Sequence, residues 1–120
     1  MKITLNTLLT TLAVTLFSAN VFGAQIVGGS YDQASDMISV DVVYQGGCKE
    51  HNFEVRLNLC NRSMPATCSA ELVDLTQGDV CRGFMTETVK IPASTLVGGF
   101  DVETLFIQGQ NDTSTVIEFQ

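Results

Sequence analysis

The residues best suited to chemistry in this 120-residue chain are four cysteines, at positions 48, 60, 68 and 81. An antiparallel hairpin that turned near residue 64 would bring Cys60 opposite Cys68 and Cys48 opposite Cys81. This nested spacing predicts two disulfides, one near the tip of the hairpin and one at its base. A zinc site of reduced thiolates is the alternative, but the chain lacks the close CxxC pair that such sites usually contain. We therefore predict no metal and no cofactor.

The second candidate is His51, the only histidine in the chain. Together with Glu50 or Asp41, its imidazole could bind a metal or act as a base. A catalytic or metal site needs several converging partners, however, and no nucleophile motif accompanies this histidine. We keep His51 as a candidate functional polar residue, expect it to be a hydrogen-bonded structural residue at a strand start, and expect the protein not to be an enzyme.

The nine residues from Cys60 to Cys68 read CNRSMPATC. They resemble the reactive loop of Bowman–Birk serine-protease inhibitors, in which two cysteines enclose a lysine or arginine, a serine and two prolines. The resemblance covers this loop only. It implies a protease-binding segment that consists of Asn61, Arg62, Ser63, Met64 and Pro65.

Carried over to this loop, the resemblance gives three residues a role. Arg62 would enter a trypsin-like specificity pocket, Ser63 would follow the scissile bond, and Pro65 would stiffen the loop. Asn61 stands where the family has a threonine whose hydroxyl braces the loop, and Ala66 replaces the second proline. Serine and proline are also common in ordinary hairpin turns, so a tip without a partner remains the alternative.

A second resemblance concerns the segment GGCKEHNF at residues 46–53. Together with CNRSMPATC and with GDVC at residues 78–81, it resembles small exported bacterial proteins whose function we do not know. The resemblance implies an exported domain and supplies no activity.

The N-terminal residues also predict export. Lys2 precedes an apolar run from Leu8 to Phe17, and small residues follow up to Gly23, an order typical of a secretory signal peptide. We predict a signal peptide at residues 1–23 and a single disulfide-stabilised β-domain at residues 24–120. That domain carries 5 basic and 13 acidic residues, a net charge of −8. Such a charge disfavours nucleic acid as a partner, and we expect no membrane anchor after cleavage.

Alternating apolar residues predict an all-β fold for residues 24–120. The clearest alternation joins Phe53, Val55 and Leu57, which we expect inside the core. Turn residues separate six or seven such stretches, which indicates a small antiparallel β-sandwich or barrel. The predicted strands cover about residues 25–28, 38–44, 53–59, 68–75, 85–91, 100–107 and 113–119.

The cysteine spacing also predicts a register for the central hairpin. It sets Phe53 opposite Leu75 and Val55 opposite Val73, as a core face would require. It also sets Leu57 opposite Glu71, which a core face would not tolerate. A bulge or a one-residue slip in the second strand of this hairpin would repair the mismatch, and we expect one there.

The sequence favours an exported protein, periplasmic or extracellular, because paired cysteines persist in oxidising compartments. Its predicted function is that of a non-catalytic binding domain with a protein or small-molecule partner. The alternative is a serine-protease inhibitor that acts through the Cys60–Cys68 loop, with Arg62 as its anchor.

Overall fold

The residues that the structure describes fold into seven strands and one short helix, which confirms the predicted all-β class. The computed structural model describes residues 23–98 and 101–119. The predicted signal peptide lies outside the described residues, except for Gly23. The elements are β1 (Gln25–Asp32), β2 (Met37–Gly46), β3 (Phe53–Cys60), β4 (Ala66–Asp74), β5 (Gly83–Pro92), α1 (Ala93–Val97), β6 (Val102–Gln108) and β7 (Ser114–Glu118).

The strands form two sheets, a three-stranded one in the order β1-β2-β5 and a four-stranded one in the order β3-β4-β6-β7. Four of the neighbouring pairs are antiparallel, as expected. The fifth pair, β4 with β6, is parallel. The chain leaves β4, adds β5 to the other sheet and returns through α1, and a crossover of this length brings the next strand back in the same direction.

The core lies between the two sheets, and alternate side chains of each inner face fill it. These side chains bury apolar area that the unfolded chain exposes to water, which is the main force that holds the sheets together. The three-stranded sheet contributes Ile26, Ile38, Val40, Val42 and Tyr44, and the four-stranded sheet contributes Val55, Cys68, Ala70, Leu72, Leu105, Ile107 and Ile117.

The hairpin of β3 and β4 has a bulge, but the bulge lies in the first strand, β3, and the prediction that it would lie in the second strand is wrong. From Phe53 to Leu57 each residue faces a partner one position earlier than the cysteines predict, so Val55 pairs with Leu72. The register shifts between Leu57 and Leu59, and Cys60 then pairs with Cys68. The predicted pairs of Phe53 with Leu75 and of Val55 with Val73 are therefore wrong. The extra residue in β3 moves apolar side chains opposite one another.

Two further details differ from the sequence prediction. Of the three residues expected inside, Val55 is buried, whereas Phe53 and Leu57 are half-buried and pack against the core from its margin. Helix α1 was not predicted, because five residues are too few to show a helical period. Among the residues that the structure describes, no helix has the length and apolar character needed to cross a membrane.

Candidate functional site at the two ends of the hairpin

A disulfide lies at each end of the β3–β4 hairpin, in the predicted pairing. Cys60 and Cys68 are joined at the tip, where their Cα atoms are 4.0 Å apart. Cys48 and Cys81 are joined beyond the base, with Cα atoms 5.6 Å apart. All four cysteines are therefore bonded. One disulfide closes a loop at the tip of the hairpin, and the other lies beside a polar cluster at its base.

The loop at the tip is braced from within by the side chain of Asn61. Its Oδ1 atom accepts hydrogen bonds from the backbone N–H of Ser63 at 3.2 Å and from the backbone N–H of Thr67 at 3.0 Å. The Asn61 backbone N–H donates to the Thr67 carbonyl oxygen at 3.0 Å. Asn61 thus links both arms of the loop inside the disulfide ring, because short polar side chains bond readily to nearby backbone.

The five residues from Asn61 to Pro65 are exposed, and Met64 is 81 % exposed. The Met64–Pro65 peptide bond is cis. A shallow cavity of about 390 Å³ adjoins the loop and is lined in part by Arg62, Met64 and Asp101. Among the described residues, no ion pair engages the guanidinium of Arg62, so this cation faces solvent at the tip of the molecule.

At the other end of the hairpin, His51 lies between two carboxylates. Its Nδ1 atom is 2.6 Å from Oδ2 of Asp74, and its Nε2 atom is 2.7 Å from Oδ2 of Asp79. The histidine is only 8 % exposed, and the Tyr44 ring packs over it with centroids 4.3 Å apart. We call His51, Asp74 and Asp79 the histidine clamp.

Asp79 also ties the clamp to the backbone around the Cys48–Cys81 bridge. Its Oδ1 atom accepts from the N–H groups of Cys48 and Cys81, and its Oδ2 atom accepts from the N–H of Gly47. With the bond from His51, these four contacts use about all the acceptor sites of one carboxylate. The Asp79 side chain is 4 % exposed, so its charge is compensated inside the protein.

The geometry of the clamp favours a charged histidine. A neutral imidazole has one N–H, whereas both ring nitrogens of His51 lie at hydrogen-bonding distance from carboxylate oxygens, and only the imidazolium can donate to both. Burial by itself lowers the pKa of His51, but hydrogen bonds and charges from Asp79 and Asp74 outweigh it and raise the pKa above its ordinary value. The hydrogen bond from His51, helped by the backbone donors, lowers the pKa of Asp79 to about 2.

This arrangement joins two segments and leaves neither ring nitrogen open to a substrate. The partners of His51 are Asp74 and Asp79 rather than Glu50 or Asp41, the neighbours that the sequence suggested. Neither aspartate was predicted as a partner, because they follow His51 by 23 and 28 residues and belong to no local pattern. The one available signal is that Asp79 stands in the GDVC turn, two residues before a bridged cysteine.

The sulfur atoms of Cys48 and Cys81 and a carboxylate oxygen of Asp79 lie within 4.8 Å of one another. Three such ligand atoms are a potential metal cluster in a reduced protein. In this structure the two sulfurs are bonded to each other, and a disulfide offers no thiolate to a metal. These three residues are therefore held together here by the disulfide and by the hydrogen bonds from the two cysteine N–H groups to Asp79.

The chain matches no protein-family model, no curated protein and no solved structure.

Proposed function

We propose that this protein is an exported, non-catalytic binding domain that inhibits a trypsin-like serine protease through its Cys60–Cys68 loop. The observation that carries the proposal is the double hydrogen bond to Asn61 Oδ1 inside the disulfide ring. A loop held in this way loses little conformational entropy when it binds, so more of its contact energy appears as affinity. The two disulfides are compatible with an oxidising, exported environment.

Arg62 is the proposed anchor, because its exposed guanidinium has no ion-pair partner among the described residues. Trypsin-like proteases take arginine or lysine into a pocket that ends in a carboxylate. Leaving this carboxylate buried without its cation costs several kcal/mol of binding energy, so most of the affinity should depend on the side chain of Arg62.

Asn61 fills the position of the bracing threonine in the Bowman–Birk loop and supplies the same kind of support. The nitrogen that it holds belongs to Ser63, so cleavage of the Arg62–Ser63 bond would convert that nitrogen into a free amine. The amine would stay tethered by Asn61 and by the disulfide, close to the new Arg62 carboxylate. Re-formation of the peptide bond, with release of water, would then compete with product release, because the reacting groups remain in place.

A titration of purified protein, with both disulfides intact, against a panel of arginine-cleaving serine proteases tests the proposal. We expect near-stoichiometric inhibition of at least one enzyme at micromolar concentrations or below. The Arg62→Ala variant should weaken this inhibition at least about 100-fold without unfolding the domain, because the loop tip lies outside the core.

Arg82→Ala is the matched control, since Arg82 is an exposed arginine outside the loop. It removes the same charge and should inhibit as well as the unaltered protein. Two results would contradict the proposal: no protease of the panel is slowed, or Arg62→Ala and Arg82→Ala inhibit equally.

A further inference from the structure

We infer that Met64 is an oxidation site and that its conversion to the sulfoxide weakens binding by the Cys60–Cys68 loop. The effect on binding rests on the proposed function of that loop, whereas the oxidation itself does not. Oxidants reach sulfur from solvent, so the exposure of each sulfur-containing side chain governs how fast it is oxidised.

Met64 is the most accessible sulfur among the described residues. The residue is 81 % exposed, against 37 % for Met85, and Met37 is half-buried. The Met85 sulfur is also close to the backbone of Gly47 and Gly83, since an added Cβ at these glycines would meet it at 3.6 and 4.0 Å. All four cysteines are bonded in disulfides, so no thiol competes for the oxidant.

The position of Met64 connects its oxidation to recognition. Met64 follows Ser63 directly, so a protease that holds the Arg62–Ser63 bond at its catalytic centre must also cover Met64. Met64 and Arg62 line the same shallow cavity beside the loop. A methionine here offers a flexible apolar contact to the partner.

The chemistry requires one oxidant, a hydroperoxide. The peroxide transfers one oxygen atom to the thioether sulfur, which loses two electrons, and the peroxide leaves as water or an alcohol. The product is a sulfoxide, which is polar and accepts hydrogen bonds. A protease surface that covered it would strip water from the S–O group without a matching donor, and such burial is unfavourable. The core is unaffected, because Met64 lies at the exposed tip.

Peptide mapping by mass spectrometry after graded hydrogen peroxide treatment tests the oxidation site. We expect the sulfoxide to form at Met64 several-fold faster than at Met85 or Met37 in the folded, disulfide-intact protein. Comparable rates at the three methionines would overturn the inference whether or not the protein inhibits a protease.

Protease titration of the singly oxidised protein tests the consequence. We expect inhibition to weaken at least about tenfold. The Met64→Leu variant should inhibit like the unaltered protein and should keep its inhibition after peroxide treatment, whereas Met85→Leu should lose it. If the Met64 sulfoxide inhibits as tightly as the thioether, the inference fails and the proposed function stands. If the unoxidised protein inhibits no protease, the proposed function fails and the effect on binding fails with it.

Discussion

The Nε2 atom of His51 and the Oδ2 atom of Asp79 lie 2.7 Å apart, and their bond joins the segment before β3 to the loop that contains Cys81. The same two segments are linked by the Cys48–Cys81 disulfide. A covalent bond and a charged hydrogen bond therefore close the base of the hairpin side by side.

The clamp makes stability depend on pH in two directions. Because the pKa of His51 is raised in the fold, its contribution is fully present below the ordinary value of 6.5 and is lost as pH rises through the folded value. Because the pKa of Asp79 is lowered to about 2, its contribution is present above the ordinary value of 3.8 and is lost as pH falls towards about 2. The clamp should stabilise the fold most between these two ordinary values.

Thermal unfolding between pH 5 and pH 9 checks the alkaline side. We expect the midpoint of the unaltered protein to fall as pH rises, and that of His51→Gln to stay nearly constant, because the chain has no other histidine. At pH 5 the variant should be less stable by about 2–3 kcal/mol, the usual scale for lost hydrogen bonds to charged groups. Parallel curves for the two proteins would contradict this role of the clamp.

A side chain at position 46 should destabilise the fold, because Gly46 lies against the clamp. A Cβ at this position would come within 2.5 Å of Asp79 Oδ2 and 2.9 Å of His51 Nε2. We expect Gly46→Ala to lower the free energy of unfolding in urea by about 1–3 kcal/mol, the range for overpacked sites. Gly28→Ala is the control, since its nearest neighbour would be Asp41 Oδ2 at an ordinary 3.4 Å. A control that costs as much as Gly46→Ala would show that the clamp is not responsible.

The brace in the loop can be tested without any partner protein. Replacement of Asn61 by Ala removes the acceptor of the Ser63 and Thr67 amides. Solvent exchange of these two amide protons, measured by NMR, should accelerate by about five- to tenfold, as expected for one hydrogen bond of roughly 1 kcal/mol. Asn58→Ala, an exposed change in the bulge of β3, should leave both rates unchanged. Unaltered exchange in Asn61→Ala would mean that the ring alone holds the loop.

Phe53 should contribute less to stability than its strand pattern implies. It is half-buried at the core margin and meets the Tyr44 ring edge-on, with centroids 5.2 Å apart. We expect Phe53→Ala to cost about 2–3 kcal/mol, below the 3–5 kcal/mol typical of a fully buried phenylalanine. Leu105→Ala, at a position with 0 % exposure, is the comparison and should cost at least as much. A cost for Phe53→Ala well above that of Leu105→Ala would place Phe53 in the centre of the core.

Regular patterns in the sequence predicted the strands and the two disulfides. The period-two alternation from Phe53 to Leu57 gave the strand, and the nested cysteine spacing gave both disulfides. The pairing of β4 with β6 could not be predicted in the same way, because its direction depends on where the chain crosses between sheets.

The candidate site likewise has parts that could be predicted from the sequence and parts that could not. The loop could be read from CNRSMPATC, because its residues are consecutive and its ring is closed by two of them. The brace at Asn61 could not be assigned, since an asparagine in a turn has several backbone groups within reach. The partners of His51 were missed because they lie 23 and 28 residues further along the chain and reach the same end of the hairpin only when the strands pair.

The two ends of the hairpin are far enough apart that a change of sequence in the Cys60–Cys68 loop should have little effect on the stability of the fold. β3 has eight residues, so the loop lies about 25 Å along the strand from the clamp. The seven residues between Cys60 and Cys68 sit inside their own covalent ring, and the first five of them are exposed. New segments could be displayed within this ring while the core and the base kept their contacts. The domain would then acquire a different partner by exchanging one short stretch of chain, with the loop as the variable segment and the rest of the domain as an unchanged scaffold.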